Sequence, residues 1–456
     1  MSSNKNQLAR ETLASIIDSM EEEIVQAVQQ SIQIESTKGF PAEGQPFGEG
    51  PAKALQHALK LSDDLGFWTK NISNAIGYAE YGNGEEMVAV LGHLDVVPAG
   101  EGWIVPPFGG EIQNQIIWGR GAVDNKGPII GALFAMKALQ RSTLQTKRRI
   151  RVIFGTNEET GSQDVPYYTK EEEAPVMGFT PDASYPVIFA EKGILTISFS
   201  KTIDQSSGHV SLRSISGGSA SNIVPSSAKA IISTEHVSEE ILDGIGLSAH
   251  GSTPEQGKNA ITDLLSKLSE LDFCQDLRLF FAFLLRRIGE ETDGASLGIQ
   301  MQDEKSGSLT LNLATIMFQE VSGSLNASNS KITAVINIRY PATKNAEDIL
   351  QIICKHTSEA GIDTMILSHK KPLYVNENSS LIRTLQSVYE QETGQTAELI
   401  AIGGGTYAKA MENIVAFGPI FPGQEDVTHQ ANEHITIENL MKNIKIMALA
   451  MYRLAQ

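Results

Sequence analysis

The sequence predicts an α/β protein with a mostly parallel sheet, interrupted by a larger α+β insert. Three observations predict it. Over residues 87–184, and again after 371, short apolar runs alternate with helical stretches, the texture of a parallel sheet covered by helices. Between about 185 and 370, Thr and Ser become common and the apolar residues alternate with period two, the mark of antiparallel strands. The chain is 456 residues long, 41% hydrophobic and 20% charged, which implies two or three domains with real cores and excludes disorder, collagen and coiled coil.

Taken in order, residues 6–33 carry apolar positions at helical spacing (Leu8, Leu13, Ile16, Ile17, Ile24, Val28), with Glu21–Glu23 on the solvated side. EMVAVLGHLDVV is a buried strand, and Lys126–Leu139 is a helix rich in Ala, Leu and Ile. RRIRVIFGTNEET, VMGFTPDAS and NIVAFGPI are three further strand runs, each followed by polar or turn residues. In the insert, ILTISFSKTI, AKAIISTEHV, SLTLNLATI and KITAVINIRYP read as strands, and ITDLLSKLSELDFCQDLRLFFAFLLRRIG as one long helix. SISGGSASNIVPSSAKAIIS and TIMFQEVSGSLNASNSKITAVINIRYP echo each other, which suggests an internal duplication. A helix at Ser380–Gln391, the turn GGGTYAKAM and a final helix from Ile437 return to the first texture. The domain boundaries expected are 1–184 and 371–456 for the split domain and 185–370 for the insert.

The net charge of −18 argues against nucleic acid or an anionic membrane as partner, because both reward basic clusters. The N-terminal stretch lacks the apolar core of a signal peptide and no apolar run reaches about 18–20 residues, so a cytoplasmic protein is expected. Two cysteines, Cys274 and Cys354, exclude a disulfide framework or a Cys-rich metal site.

The informative polar residues stand just after the strands: His93 and Asp95, Glu158 and Glu159, and Asp182. Asp124 precedes a helix, and His429 lies in a late loop. In an open α/β sheet, ligands gather at the carboxyl ends of the strands, so residues far apart in sequence can converge there. Two His and several carboxylates, with no thiolate, suit Zn, Mn or Co. Each residue alone has a plainer reading: a packed His, a turn-forming Asp, a solvated Glu pair. Their joint order carries the case.

HLDVVP, GRGAVDNKGP, GTNEETG, the Asp of TPDAS and the late His of EDVTHQANE together resemble the metallopeptidase family of aminoacylases, carboxypeptidases and dipeptidases. GGSASNIVP, INIRYP and GGGTYAK resemble its peptidase-V branch, the cytosolic Xaa-His-type dipeptidases. The resemblance implies a zinc-peptidase-like α/β/α catalytic domain and a lid. It implies two divalent ions, Zn first with Mn or Co as alternatives, bridged by Asp124. His93 and Asp182 complete one site, Glu159 and His429 the other. Glu158 is then the general base, Asp95 accepts a hydrogen bond from the His93 imidazole, and the Asp124–Asn125 peptide is cis.

In the lid, the resemblance makes His250 the oxyanion donor, assisted by Asn222. Arg339 grips the substrate carboxylate together with the backbone N–H groups of Gly404, Gly405 and Thr406. The substrate is then an unblocked dipeptide. A doubled lid implies a monomer with His250 acting in cis, a dimer being the alternative. The rival activities are N-acyl amino acid deacylation and succinyl-diaminopimelate desuccinylation. From another class, the rival is a catalytically silent binding protein.

Overall fold

The computed structural model describes residues 2–319 and 330–456. The chain forms two compact units: 1–189, 375–400 and 406–456 make the first, and 190–374 with 401–405 the second. The second limb of the sequence echo runs through 320–329 and so lies partly outside the described residues.

The first unit opens with helices α1 (Ser2–Asp18), α2 (Glu21–Ile32) and α3 (Glu49–Asp64). Where the apolar spacing predicts one helix over 6–33, there are two. The Ser19 hydroxyl donates to the Ile16 carbonyl, capping α1 from within, and the buried Met20 starts α2. Strands β1 (Trp68–Ile72), β2 (Ile76–Tyr81) and β3 (Met87–His93) follow. Helix α4 (Lys126–Arg141), strand β4 (Arg149–Gly155), helix α5 (Val165–Glu171) and strand β5 (Met177–Thr180) come next, and the chain crosses into the second unit within β6 (Val187–Glu191).

The second unit contains strands β7 (Gly193–Ile203), β8 (Val210–Gly217), β9 (Ser227–Thr234) and β10 (Glu240–Ile245). Helices α6 (Ala260–Leu268) and α7 (Gln275–Arg287) follow, then β11 (Thr310–Gln319), β12 (Ser330–Tyr340), α8 (Ala346–Glu359) and β13 (Asp363–Lys370). Back in the first unit, α9 (Ser380–Thr393), β14 (Ile414–Ala416) and α10 (Ile437–Leu454) complete the chain.

The first sheet runs β1-β2-β4-β3-β5-β14-β6. Its middle four strands, β4-β3-β5-β14, are parallel, and the strands on either side pair antiparallel. All seven residues of β3 are buried, as a central parallel strand covered on both faces requires. Helix α4 is buried almost all round and packs on β3, β4 and α10, which explains its Ala, Leu and Ile composition.

The second sheet, β10-β9-β8-β11-β12-β7-β13, is antiparallel throughout. Leu195, Ile197 and Phe199 of β7 join Leu264, Leu265, Phe280, Phe281, Ile349 and Ile353 in one core. The single long helix expected over 261–289 is broken between α6 and α7. The Asp272 carbonyl accepts from the His209 and Val210 N–H groups, and Phe273 bridges to Val210, so strand pairing overrides helical spacing there. Cys274 packs in this core and Cys354 is exposed on α8; both are free. No helix among the described residues is long and apolar enough to cross a membrane.

Candidate metal centre

The parallel strands β3, β4 and β5 all end at one edge of the first sheet, and the loops after them carry His93, Glu159 and Asp182. The loop before α4 brings Asp124, whose bond to Asn125 is cis. The loop before α10 brings His429, which adopts φ 60°, an unusual backbone for a non-glycine residue.

Asp124 is central. Its Oδ1 lies 3.0 Å from His93 Nε2 and its Oδ2 lies 3.0 Å from His429 Nε2. Asp182 Oδ1 is 3.2 Å from the same His93 nitrogen, and Glu159 Oε2 is 3.2 Å from the same His429 nitrogen. One carboxylate thus faces two ligand pairs with different oxygens. His93, Asp124 and Glu159 each offer a donor atom within 4.8 Å of the others. His93 Nδ1 sits 3.0 Å from the Asp95 carbonyl, which only accepts, so Nδ1 carries a proton and Nε2 faces the cluster.

The electrostatics match a cation-binding donor set. Burial raises the pKa of Asp124, but hydrogen bonds from His429 and His93 outweigh it and hold the carboxyl well below its usual range. Asp182 and Glu159 are raised, each first by burial and then by the neighbouring Asp124 charge, with the imidazoles opposing. Hydrogen bonds to Asp124 and Glu159 push His429 up to about 11. Glu159 Oε1 is buried without a hydrogen-bond partner among the described residues, an orphaned lone pair that a metal ion fits. Two imidazoles and three carboxylates at one point are the donors that divalent ions of the Zn, Mn and Co kind take.

Asp95 accepts from the His93 imidazole as expected, but through its backbone more closely than through its side chain. The His93 imidazole donates to the Asp95 backbone carbonyl, and the carboxylate lies 3.5 Å from Nδ1. The Asp95 carboxylate instead accepts the Glu158 N–H on Oδ1 and the Glu159 N–H on Oδ2, each at 3.1 Å. Two residues past His93, the backbone oxygen lies nearer the ring, which frees the side chain to hold the Glu158–Glu159 turn.

Asp164 does the same for the two residues before. Its Oδ2 accepts from the Thr156 N–H at 2.7 Å and the Asn157 N–H at 3.2 Å. Burial and the Asp95 charge push Asp164 up to about 6, with the Tyr407 hydroxyl, which donates to it, opposing. Tyr407 also stands edge-on to His93, and its N–H donates to Asp182 Oδ2 at 3.0 Å. Gly155 ends β4 beneath these groups, where a Cβ would overlap the Tyr407 hydroxyl and the Asp164 carboxylate. Asp164, Tyr407 and Glu433 are absent from the sequence reading. Tyr407 stands in GGGTYAK and Glu433 in EDVTHQANE, motifs read for other members. Asp164 has no sequence signal. His434 stacks on Trp118, apart from the cluster.

The other site candidates lie in the second unit, except Thr406, which clusters with the first. Backbone pairing joins the Asn222 and His250 segments: Ile223 bridges to His250, and the Gly251 N–H donates to the Asn222 carbonyl at 2.6 Å. The Ser252 N–H donates to His250 Nδ1 at 3.3 Å. A neutral His250 therefore carries its proton on Nε2, as an oxyanion donor must. Burial, and then the Arg339 charge, lower its pKa and favour that neutral form. Arg339 is buried and donates to Asn337 Oδ1 and the Gly403 carbonyl. Burial brings its pKa down to about 10, and no carboxylate among the described residues pairs with it. Gly404 and Gly405 adjoin Gly403 in the same unit. The Thr406 hydroxyl accepts the Ala408 N–H and caps the short turn Tyr407–Ala410.

A parallel sheet delivering two imidazoles and three carboxylates to one edge defines a metallohydrolase-type site on an α/β scaffold. The chain belongs to peptidase family M20/M25/M40, whose family model matches residues 89–453. It is 37% identical to YtjP of Bacillus subtilis (strain 168), over 93% of this chain and 95% of that protein. It is 32% identical to the Beta-Ala-Xaa dipeptidase of Lactobacillus delbrueckii subsp. lactis, over 100% of this chain and 99% of that protein. Among solved structures, human carnosine dipeptidase 1 shares the fold with a TM-score of 0.62 at 16% identity, covering 98% of this chain and 99% of that one.

Proposed function

We propose that the chain is a dipeptidase that hydrolyses unblocked dipeptides with two divalent ions. Asp124 would hold both ions, with His93 and Asp182 on one and Glu159 and His429 on the other, Zn being the first candidate. The observation that carries this reading is the division of the two Asp124 oxygens between two ligand pairs, 3.0 Å from His93 and 3.0 Å from His429. The name of the Lactobacillus relative supports the substrate class.

When bound, the ions polarise the peptide carbonyl and acidify water. Glu158, held beside Glu159 by the Asp95 carboxylate, takes the proton of the attacking water and passes it to the leaving amine. The second unit acts as a lid. His250 Nε2–H, with Asn222 beside it, stabilises the oxyanion, and Arg339 takes the substrate carboxylate together with the N–H groups of Gly404, Gly405 and Thr406. A buried guanidinium with no carboxylate partner among the described residues supports that role. A monomer with His250 acting in cis is the state this reading favours, a dimer being the alternative.

The test is metal analysis of the purified protein, then a panel of dipeptides, tripeptides and N-acyl amino acids. Dipeptide cleavage, lost on chelation and reduced roughly a thousandfold in Glu158→Gln with metal content unchanged, is the expected result. Cleavage of N-acyl amino acids alone overturns it in favour of a deacylase.

A further inference from the structure

Glu433 is fully buried, four residues after His429. Its Oε1 accepts three backbone N–H groups, from Gly121 at 3.1 Å, Val123 at 2.9 Å and Asp124 at 3.0 Å. Its Oε2 accepts from Arg120 Nη1 at 2.8 Å, and its backbone carbonyl accepts the Gly119 N–H at 2.9 Å. Arg120 in turn donates to the Ala99 carbonyl at 3.2 Å, and its guanidinium lies 5.3 Å from the Trp103 ring centroid. The loop that carries Asp124 is therefore gripped along its length by one side chain from the segment that carries His429.

Three amides converging on a single oxygen favour an anion there, as in a backbone nest, opposing the burial and the Asp124 charge that raise the Glu433 pKa. Burying that anion requires a paired cation, which Arg120 supplies. A neutral amide fails on geometry: its oxygen can meet the N–H groups only by turning its NH₂ toward the Arg120 donors.

We propose that Glu433 is a positioning residue for the metal centre. It sets the Asp124 backbone so that the two carboxylate oxygens divide between the two ligand pairs, and it ties that loop to His429. Metal affinity, and not only fold stability, then depends on it. The inference rests on the metal reading of the site above, and residues that orient ligands in this way are worth about 10–100-fold in metal affinity.

The experiment uses full-length protein stripped of metal and titrated with Co(II), read by visible absorption and calorimetry, with thermal unfolding of the metal-free protein in parallel. Two variants are measured. Glu433→Gln keeps the size and removes the charge. Glu433→Asp keeps the charge but draws the whole carboxylate back from the amides by one methylene, and it serves where the first variant does not fold. The expected result in the folded variants is Co(II) binding weakened about 10–100-fold with an altered visible spectrum. A variant that melts lower yet binds Co(II) with wild-type affinity and spectrum has lost only a structural clamp, and that overturns the proposal. Wild type that takes up two ions beside unchanged variants overturns this inference alone. Wild type that takes up none overturns the site reading and this inference with it.

Discussion

Lys126 reads in the sequence as the first residue of the helix over Lys126–Leu139. In the structure it is fully buried, and its ammonium donates to the Ser31 and Ile34 carbonyls at the end of α2. It thereby pairs the Ile34 carbonyl just past the helix and adds a second donor to the Ser31 carbonyl, which also accepts the Ile34 N–H at 3.2 Å. Lys126→Met is expected to lower the unfolding free energy by about 1–3 kcal/mol, because the Ile34 carbonyl loses its donor, and denaturant melts measure it. Arg339 makes the opposite point: a residue named from a motif, buried, and donating to the neutral oxygens of Asn337 and Gly403. Arg339→Ala is expected to raise KM for dipeptides at least tenfold and to change cleavage of C-terminally amidated dipeptides little, which steady-state kinetics on paired substrates decides. At this scale the residue types at the site were legible and their contacts were not. HLD names a His and an Asp two apart, but whether the backbone or the side chain of Asp95 meets the ring depends on how the chain turns after β3.

Elements were legible where period and length agree. The run over 437–454 is one helix in both pattern and structure, and within β7 the apolar Leu195, Ile197 and Phe199 alternate with Thr196, Ser198 and Ser200. The helix expected over 261–289 fails because Leu271 and Phe273 fit helical spacing and a strand bridge equally well, and only the presence of Val210 decides. The short hairpin of Gln302–Asp303 with Gly307–Ser308 gives a pH test at this scale. Asp303 accepts from the Ser306 N–H and from the Thr343 N–H and hydroxyl, tying the hairpin to the approach of α8. Burial opposes its ionisation, but these hydrogen bonds outweigh burial and push the carboxyl down to about 2. Its folded pKa lies below the unfolded value of about 3.9, so the stabilisation is full above about pH 4 and disappears as pH falls through 2. Asp303→Asn is expected to cost about 1 kcal/mol at pH 6–7, the partly exposed site being screened by solvent, and progressively less below pH 4. Chemical denaturation of both proteins across pH 2.5–7 checks it.

For the whole molecule, all five proposed metal ligands lie in the first unit, and so do the three tryptophans Trp68, Trp103 and Trp118. Tryptophan fluorescence therefore reports the unit that holds the site. Ions that bind only the folded state stabilise it by about 4 kcal/mol at a thousand times their dissociation constant. Chelation is expected to lower the fluorescence-detected melting temperature, and re-addition of metal to restore it. An unchanged fluorescence melt would count against these ligands.

The amino-acid sequence by itself determined the kind of chemistry: two His and several carboxylates in a set order, most of them just past an apolar run, in a chain apolar enough to bury real cores. Those choices depend on lone pairs and periodicity, which are local properties. Only the tertiary structure decided what orients the ligands. Asp95 holds the turn of Glu158 and Glu159, Asp164 and Tyr407 brace the residues beside it, and Glu433 grips the loop of Asp124 from 309 positions away. A backbone N–H is the same donor at every residue. Which carboxylate it meets is settled by loops brought together at the sheet edge, and local sequence carries no record of that meeting.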